Sequence, residues 1–549
     1  MRVEEYIQSL RNLPVAEINR QIEQVCGIAD FYNEASDIDT SLSAERTDKD
    51  EYGDWQTNSM LAHKTTSLVS RAFQPQILLE PTCGKGSFIL AALDTFSTIE
   101  EVFAIEIYKP YLHILKTEIL QRYLDKKYTR KIRFHLIHCS VFEVDWKGIK
   151  QQIGNRKLLV LGNPPWVTNS DLSKADSHNL PAKTNFKQVN GLAAMTGKGN
   201  FDIAEYICYD LFKQFAFGQN RFALLLKNSV IKQICHSQQK LQFSIAELQQ
   251  FKIDAKKEFG ASVDASLFVC KAGAVERTCK VFDFYTREYE RTYGWINQKF
   301  VSNIETYARI SSLDGVSPLQ WWSGIKHDCQ SVVELTKRDD VYYNKLNEPV
   351  NIEEDYIYPY VKSSDIQNDN PTRNNRYVIV TQRKVSDDTE RLRYTAPRTY
   401  NYLLQHREYF DKRKSSIYKN RSPFCMFGIG DYTFQPYKVV VSSLYKQPHF
   451  ALLTPQNGKC VITDDTCYQI GFDNEEDAKT VLSLLSNILV KDFIESVSFA
   501  DAKRIITKEL LMRISLLKAE QSIANSLESQ SGRHTPISAM VKEPLLFEM

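Results

Sequence analysis

The stretch Ile77-Leu78-Leu79-Glu80-Pro81-Thr82-Cys83-Gly84-Lys85-Gly86-Ser87-Phe88 decides how the first half of the chain is read. Three aliphatic residues in a row suit a strand buried on both faces, and the glycines that follow suit a tight turn into a helix. Such a turn lets a ligand approach backbone amides at the top of a parallel sheet. A phosphate-cradling Gly-x-x-x-x-Gly-Lys-Ser/Thr loop is excluded by spacing. Leu79 stands where its first glycine belongs and Gly86 where its hydroxyl residue belongs.

Working outward, Val102-Phe103-Ala104-Ile105, the run 132–137 and Leu158-Leu159-Val160-Leu161 read as further strands. With the first they recur every 25 to 30 residues, and each gap accommodates a crossover helix. That repetition predicts an α/β fold with a doubly wound, Rossmann-like sheet, continued by strands at 221–226 and 265–270. After about residue 275 the alternation fades. The second half is rich in Tyr and Phe, carries short strands such as Lys438-Val439-Val440-Val441, and closes with helices near 476–495 and 500–517. The expected organisation is a helical lead-in over 1–50, the sheet domain over 51–275, a connecting region over 276–330, an α+β domain over 331–528 and a tail over 529–549.

Composition bounds the function classes. A chain of 549 residues exceeds what one core normally grows to, and 43% hydrophobic with 25% charged residues describes a globular protein. No apolar run approaches the roughly 20 residues that a bilayer span needs. Met1-Arg2-Val3-Glu4-Glu5 carries acids where a secretory signal is apolar, so a cytoplasmic location is expected. The 11 cysteines are scattered with no Cys-x-x-Cys pair, which predicts reduced, mostly buried thiols. No His-Glu-x-x-His or paired His/carboxylate set appears among the 10 histidines, so no metal is expected. Charge is uneven. Residues 371–450 hold 15 Lys+Arg against 6 Asp+Glu, a surplus of nine that leaves the remainder at −7 within a whole-chain +2. One basic segment on an acidic protein suggests a localised polyanion-binding face.

Two further features carry chemistry. Glu106 ends the second strand 22 positions after Gly84, the distance at which an acid accepts hydrogen bonds from ribose hydroxyls in sheets of this type. The fourth strand runs into Leu161-Gly162-Asn163-Pro164-Pro165-Trp166, where consecutive prolines freeze an extended loop. The loop offers the Asn163 side-chain oxygen and the Pro164 carbonyl as two acceptors beside the flat indole of Trp166. Two converging acceptors and a stacking ring describe a pocket for a planar amine.

With Glu80-Pro81-x-Cys83-Gly84-x-Gly86 upstream of it, this Asn163-Pro164-Pro165-Trp166 loop resembles that of the gamma class of DNA adenine methyltransferases. The resemblance covers about residues 51–275 and, more loosely, the C-terminal half. It implies S-adenosylmethionine as cofactor, the exocyclic amine of adenine in double-stranded DNA as acceptor, and base flipping to bring it within reach. It implies a catalytic set of Asn163, Pro164, Pro165 and Trp166. Gly53-Asp54-Trp55-Gln56-Thr57-Asn58 matches the cofactor motif that precedes the glycine turn, placing Thr57 at the methionine carboxylate. Glu80, Thr82, Gly84 and Gly86 fall against the methionine portion, Glu106 at the ribose, and Asn163 at the edge of the same site. Later motifs match Asn200-Phe201-Asp202-Ile203, residues 222–228 and Phe259-Gly260-Ala261-Ser262-Val263, which puts Phe259 against the target adenine opposite Trp166. One departure stands out. Ser140 occupies the place of an acid that accepts a bond from the cofactor's adenine, and a hydroxyl does so without charge assistance. Asp145 lies nearby at a poorer spacing.

The basic segment interleaves cations with aromatics, as phosphate contact and base stacking require. Arg413, Lys414 and Lys438 are expected phosphate contacts within it. Tyr358-Pro359-Tyr360-Val361-Lys362-Ser363-Ser364-Asp365-Ile366 and Phe427-Gly428-Ile429-Gly430 resemble the target-recognition region of restriction-associated members. No nuclease motif is found, so in a restriction system the restriction endonuclease is expected on a separate polypeptide. Methylation of a protein glutamine, methylation of RNA adenine, and a non-catalytic DNA-binding role on the same scaffold remain the alternative readings.

Overall fold

A computed structural model describes residues 2–32, 56–168, 202–260, 263–368, 375–445, 447–499, 504–526 and 536–540. The segments Gly53-Asp54-Trp55, Asn200-Phe201 and Ala261-Ser262, and most of the 168–200 loop, lie outside the described residues. So do residues 33–50 of the lead-in and nearly all of the tail. The chain divides into two compact units, Met1–Phe300 and Val301–Met549.

The first unit opens with two amphipathic helices, α1 (Val3–Leu10) and α2 (Val15–Cys26). Their apolar residues Val3, Leu10, Ile18 and Ile22 join the same buried cluster as the sheet. After α3 (Ser59–Ser70) the strand–helix repeat begins. It runs β1 (Ile77–Glu80), α4 (Ser87–Thr95), β2 (Glu101–Glu106), α5 (Lys109–Leu124), β3 (Arg133–His138), α6 (Trp146–Ile153) and β4 (Leu158–Gly162). It then continues through α7 (Ile203–Phe215), β5 (Arg221–Lys227), α8 (Asn228–Leu241), β6 (Ile245–Ile253), α9 (Ala255–Phe259) and β7 (Ala265–Ala272). β1 and β4 are buried along their whole length, which is why both read as unbroken aliphatic runs.

The sheet has ten strands, ordered β3-β2-β1-β4-β5-β7-β6 and then β8 (Thr278–Asp283), β9 (Tyr289–Ile296) and β10 (Lys299–Val301). β1 to β5 pair in parallel, and β7 inserts antiparallel between β5 and β6. This is a doubly wound α/β sheet. Strand order reverses between β1 and β4, so their carboxyl ends flank the crevice where ligands bind in open α/β sheets. Two sequence-based expectations need correction. Residues 278–301 form three more strands of this sheet where a connecting region was expected. β6 went unread because a bulge at Glu247 (φ +52) shifts its register between Ala246 and Gln249 and breaks the alternation.

The second unit is α+β. A six-stranded sheet combines β12 (Glu334–Arg338), β13 (Val341–Tyr343), β14 (Pro349–Val350), β15 (Ile357–Val361), β16 (Arg376–Ile379) and β19 (Ile462–Thr463). A four-stranded sheet, ordered β11-β20-β17-β18, combines β11 (Trp322–Ser323), β17 (Tyr437–Ser442), β18 (Phe450–Leu453) and β20 (Cys467–Phe472). The expected helix over 476–495 is two, Glu475–Ser486 and Ile488–Val497, because Asn487 leaves the helical region and caps the second through Leu489. All 11 cysteines are free, nine of them buried. Among the described residues no helix is long and apolar enough to cross a membrane.

Candidate active site

The carboxyl end of β1 delivers Glu80 into the interior, only 2% exposed. Its Oε2 has no hydrogen-bond partner among the described residues, and burial, reinforced by nearby Glu106, pushes its pKa well above the usual carboxylate range. The turn that follows is tied to β2 by the Cys83 amide, which donates to the Ile105 carbonyl at 2.8 Å. Gly84 (φ +53) and Gly86 (φ +83) sit in the left-handed region, and a Cβ on Gly86 would lie 2.3 Å from Leu115 Cδ1. A side chain is therefore excluded there by backbone and neighbour alike.

Glu106, at the end of β2, accepts the Gly84 amide on Oε2 and the Tyr108 amide on Oε1, each at 2.8 Å. The carboxylate thus shapes the turn from the end of β2. Ser140 lies just beyond β3, almost buried, and its Oγ accepts from the Phe142 amide at 3.2 Å. Asp145, the other acid near this place, caps α6, its Oδ1 accepting from the Gly148 amide at 3.1 Å.

The loop after β4 comes to the same place. Asn163 Nδ2 donates to Thr57 Oγ1 at 3.4 Å, and Thr82 Oγ1 donates to the Asn163 carbonyl at 3.5 Å. These long contacts bring the segment before α3, the glycine turn and the Asn-Pro-Pro loop together at the β1/β4 switch point. Downstream, Ile203 donates to the Val167 carbonyl and the Asp202 carboxylate caps α7 and pairs with Lys227, anchoring the loop exit to β5. Asn58 joins the two sides of the cleft. It caps α3 and its Nδ2 donates to Glu258 on α9 at 2.8 Å, a link across 200 residues that spacing alone does not reveal.

Trp166 and Phe259 are brought together, but not as two walls of an open slot. Their centroids are 5.0 Å apart at 67°, edge to face, with Trp166 buried and its Nε1 donating to the Leu225 carbonyl. A ring stacked between them would need about 7 Å, two van der Waals separations. The two rings are in direct edge-to-face contact.

The second unit corrects two expected phosphate contacts. Lys438 lies on β17, between β18 and β20, and is fully buried. Its Nζ donates to the Val461 carbonyl at 2.5 Å, and burial lowers its pKa to about 8. Arg413 is half-buried and donates to the carbonyls of Phe410 (3.0 Å), Cys425 (2.7 Å) and Pro423 (2.8 Å), while its guanidinium stacks 3.7 Å over the Tyr418 ring. Neither presents its charge to solvent as expected. Lys414 does, being exposed and without an ion-pair partner among the described residues.

No family model matches the sequence. Among solved structures, the chain is similar to the type IIL restriction-modification enzyme MmeI in complex with DNA, at TM-score 0.48 and 14% identity over 98% of this chain and 77% of that one. It is also similar to the type IIG restriction endonuclease BpuSI, at TM-score 0.34 and 13% identity over 91% and 60% of the two chains. In sequence it is 39% identical over 479 residues to the type II methyltransferase M.NspV of Nostoc sp., which covers 86% of this chain and 98% of that protein. Identity at that level across nearly the whole of a relative shows the family: the chain belongs to the type II methyltransferases.

Proposed function

We propose that the chain is the modification methyltransferase of a restriction-modification system, transferring a methyl group from S-adenosylmethionine to N6 of adenine at a specific sequence in double-stranded DNA. The observation that carries the reading is the Asn163–Trp166 loop at the β1/β4 switch point, with the Asn163 amide oriented by Thr57. An amide whose Nδ2 donates to a hydroxyl turns Oδ1 toward an incoming amine. Asn163 Oδ1 and the Pro164 carbonyl then accept the two amine hydrogens and hold the nitrogen lone pair toward the methyl donor.

The residues present fit the cofactor. The buried Oε2 of Glu80 lacks a partner, and the methionine ammonium supplies the cation it wants. Glu106 stands at the end of β2 where the ribose hydroxyls would lie, Thr57 offers a hydroxyl to the methionine carboxylate, and the Ser140 hydroxyl stands in for an acid at the adenine ring. When bound, S-adenosylmethionine supplies a methyl already activated on a sulfonium. The chain needs no strong base and contributes positioning and electrostatics. The target adenine leaves the duplex to reach this cleft, and its entry separates the Phe259 ring from Trp166. The restriction endonuclease acts as a separate polypeptide.

Tritiated methyl transfer with duplex DNA, RNA and a glutamine-containing protein as acceptors tests the reading. Label in the N6-methyladenine of DNA supports it, and label confined to RNA or protein overturns it. Glu106→Ala should weaken S-adenosylmethionine binding by about 1–3 kcal/mol, the cost of unpairing a charge-assisted bond. The same substitution frees the Gly84 amide, so the turn loosens as well. Calorimetry showing unchanged affinity would remove Glu106 from the cofactor site.

A further inference from the structure

Between Lys412 and Gly430 the sequence holds Lys412, Arg413, Lys414, Lys419 and Arg421 and no acid. The structure separates these cations into two kinds. Arg413 turns inward and ties Phe410, Pro423 and Cys425 together through their carbonyls, closing the neck of the loop 411–423. Tyr418 lies against that guanidinium, and its hydroxyl donates to the Lys326 carbonyl at 3.3 Å. Ser422 accepts from the Thr389 amide and donates to Asp388, at 2.8 and 2.7 Å, and Asn420 takes a left-handed turn at φ +59. The loop is therefore held at its neck, its middle and its exit.

The remaining cations point outward. Lys412 pairs with Glu408 at 2.9 Å, whereas Lys414, Lys419 and Arg421 are exposed and have no acidic partner among the described residues. Three unneutralised charges on a pre-shaped loop are unfavourable to one another and gain nothing from the fold. A polyanion with closely spaced charges relieves that repulsion, and the pre-formed loop gives up little entropy on binding.

We infer that residues 412–421 form a phosphate-clamping loop for duplex DNA, with Lys414, Lys419 and Arg421 as the contacts and Arg413 as the positioning residue that shapes it. The inference rests on the DNA methyltransferase reading above. Its test is the salt dependence of binding of the full chain to a fluorescent duplex, for wild type and for the Lys414→Ala/Lys419→Ala/Arg421→Ala variant. Loss of three phosphate contacts lowers the slope of log K against log salt by about 2.7. Between 50 and 200 mM salt the wild type should therefore lose about 40-fold more affinity than the variant. S-adenosylmethionine affinity should be equal in the two proteins.

Arg413→Lys keeps the charge but cannot bridge three carbonyls. It should lower the slope in the wild-type background and add nothing in the triple variant, a non-additivity expected only of a residue acting through the other three. A triple variant with the wild-type slope overturns the loop assignment, and leaves the enzymatic reading standing where the wild type still methylates DNA. A wild type that binds and methylates only RNA overturns both.

Discussion

Asn163→Ala should slow methyl transfer at saturating cofactor and DNA by about a thousandfold, the scale seen when one pre-organised hydrogen-bonding group is taken from a transition state. On the proposed reading the substitution removes the acceptor that holds the amine. It also removes the 3.4 Å contact to Thr57, which is too long to contribute much to stability. Cofactor affinity and melting temperature should therefore stay close to wild type, and the loss should fall on kcat. Asn163→Asp separates the two contributions. It keeps an acceptor, and the Thr57 hydroxyl can turn to donate to it, so part of the activity should survive. Single-turnover kinetics beside calorimetric cofactor titration check the set. A parallel collapse of cofactor binding in Asn163→Ala would show that the loop is a structural brace for the pocket and not the seat of chemistry.

That loop was legible in sequence because the residues on either side of it have little freedom. β1 and β4 are buried on both faces, so they had to be aliphatic, and the prolines after Gly162 could continue neither strand nor helix. Glu106 was legible by distance from the glycines, although its grip on the Gly84 and Tyr108 amides was not. Contacts such as Asn58 to Glu258 depend on how β6 and β7 return across the sheet, and no local pattern records that. β8 and β9 were missed for a related reason. As an antiparallel hairpin near the sheet edge they bury few residues, β8 only Cys279 and Val281 and β9 only Tyr293 and Gly294, which reads like the end of a domain.

The basic segment shows the opposite limit. Charge composition correctly marks 371–450 as unusual, but it counts a cation the same whether it faces solvent or a carbonyl. Arg413 is absorbed because its planar fork can satisfy three backbone acceptors at once, a role that a lysine cannot copy. Lys414, one residue on, is left outside. Adjacent positions in a loop thus take opposite roles, and only the path of the backbone between Phe410 and Cys425 decides which.

Lys438 gives the second large effect. A lysine with a folded-state pKa of about 8 against an ordinary 10.5 binds fewer protons folded than unfolded in the interval between those values. Stability is then highest above pH 10.5 and falls as pH drops through that interval, reaching its full cost below pH 8. Two and a half units correspond to about 3 kcal/mol in all, of which about 2–3 kcal/mol should appear between pH 7 and pH 10. Lys438→Met removes the titration but keeps the length and fills the same space between β18 and β20. It also forfeits the bond to the Val461 carbonyl, a cost of about 1–3 kcal/mol that does not depend on pH. The informative quantity is therefore the difference between the two proteins' unfolding free energies as a function of pH, in which every other titrating group cancels. That difference should move in favour of the wild type as pH rises from 7 to 10, measured by urea denaturation at each pH. The salt slope of DNA binding should be the same in both, since the buried ammonium touches no phosphate. A flat difference curve together with a reduced salt slope would return Lys438 to the surface, and with it the reading that every cation of the basic segment faces DNA.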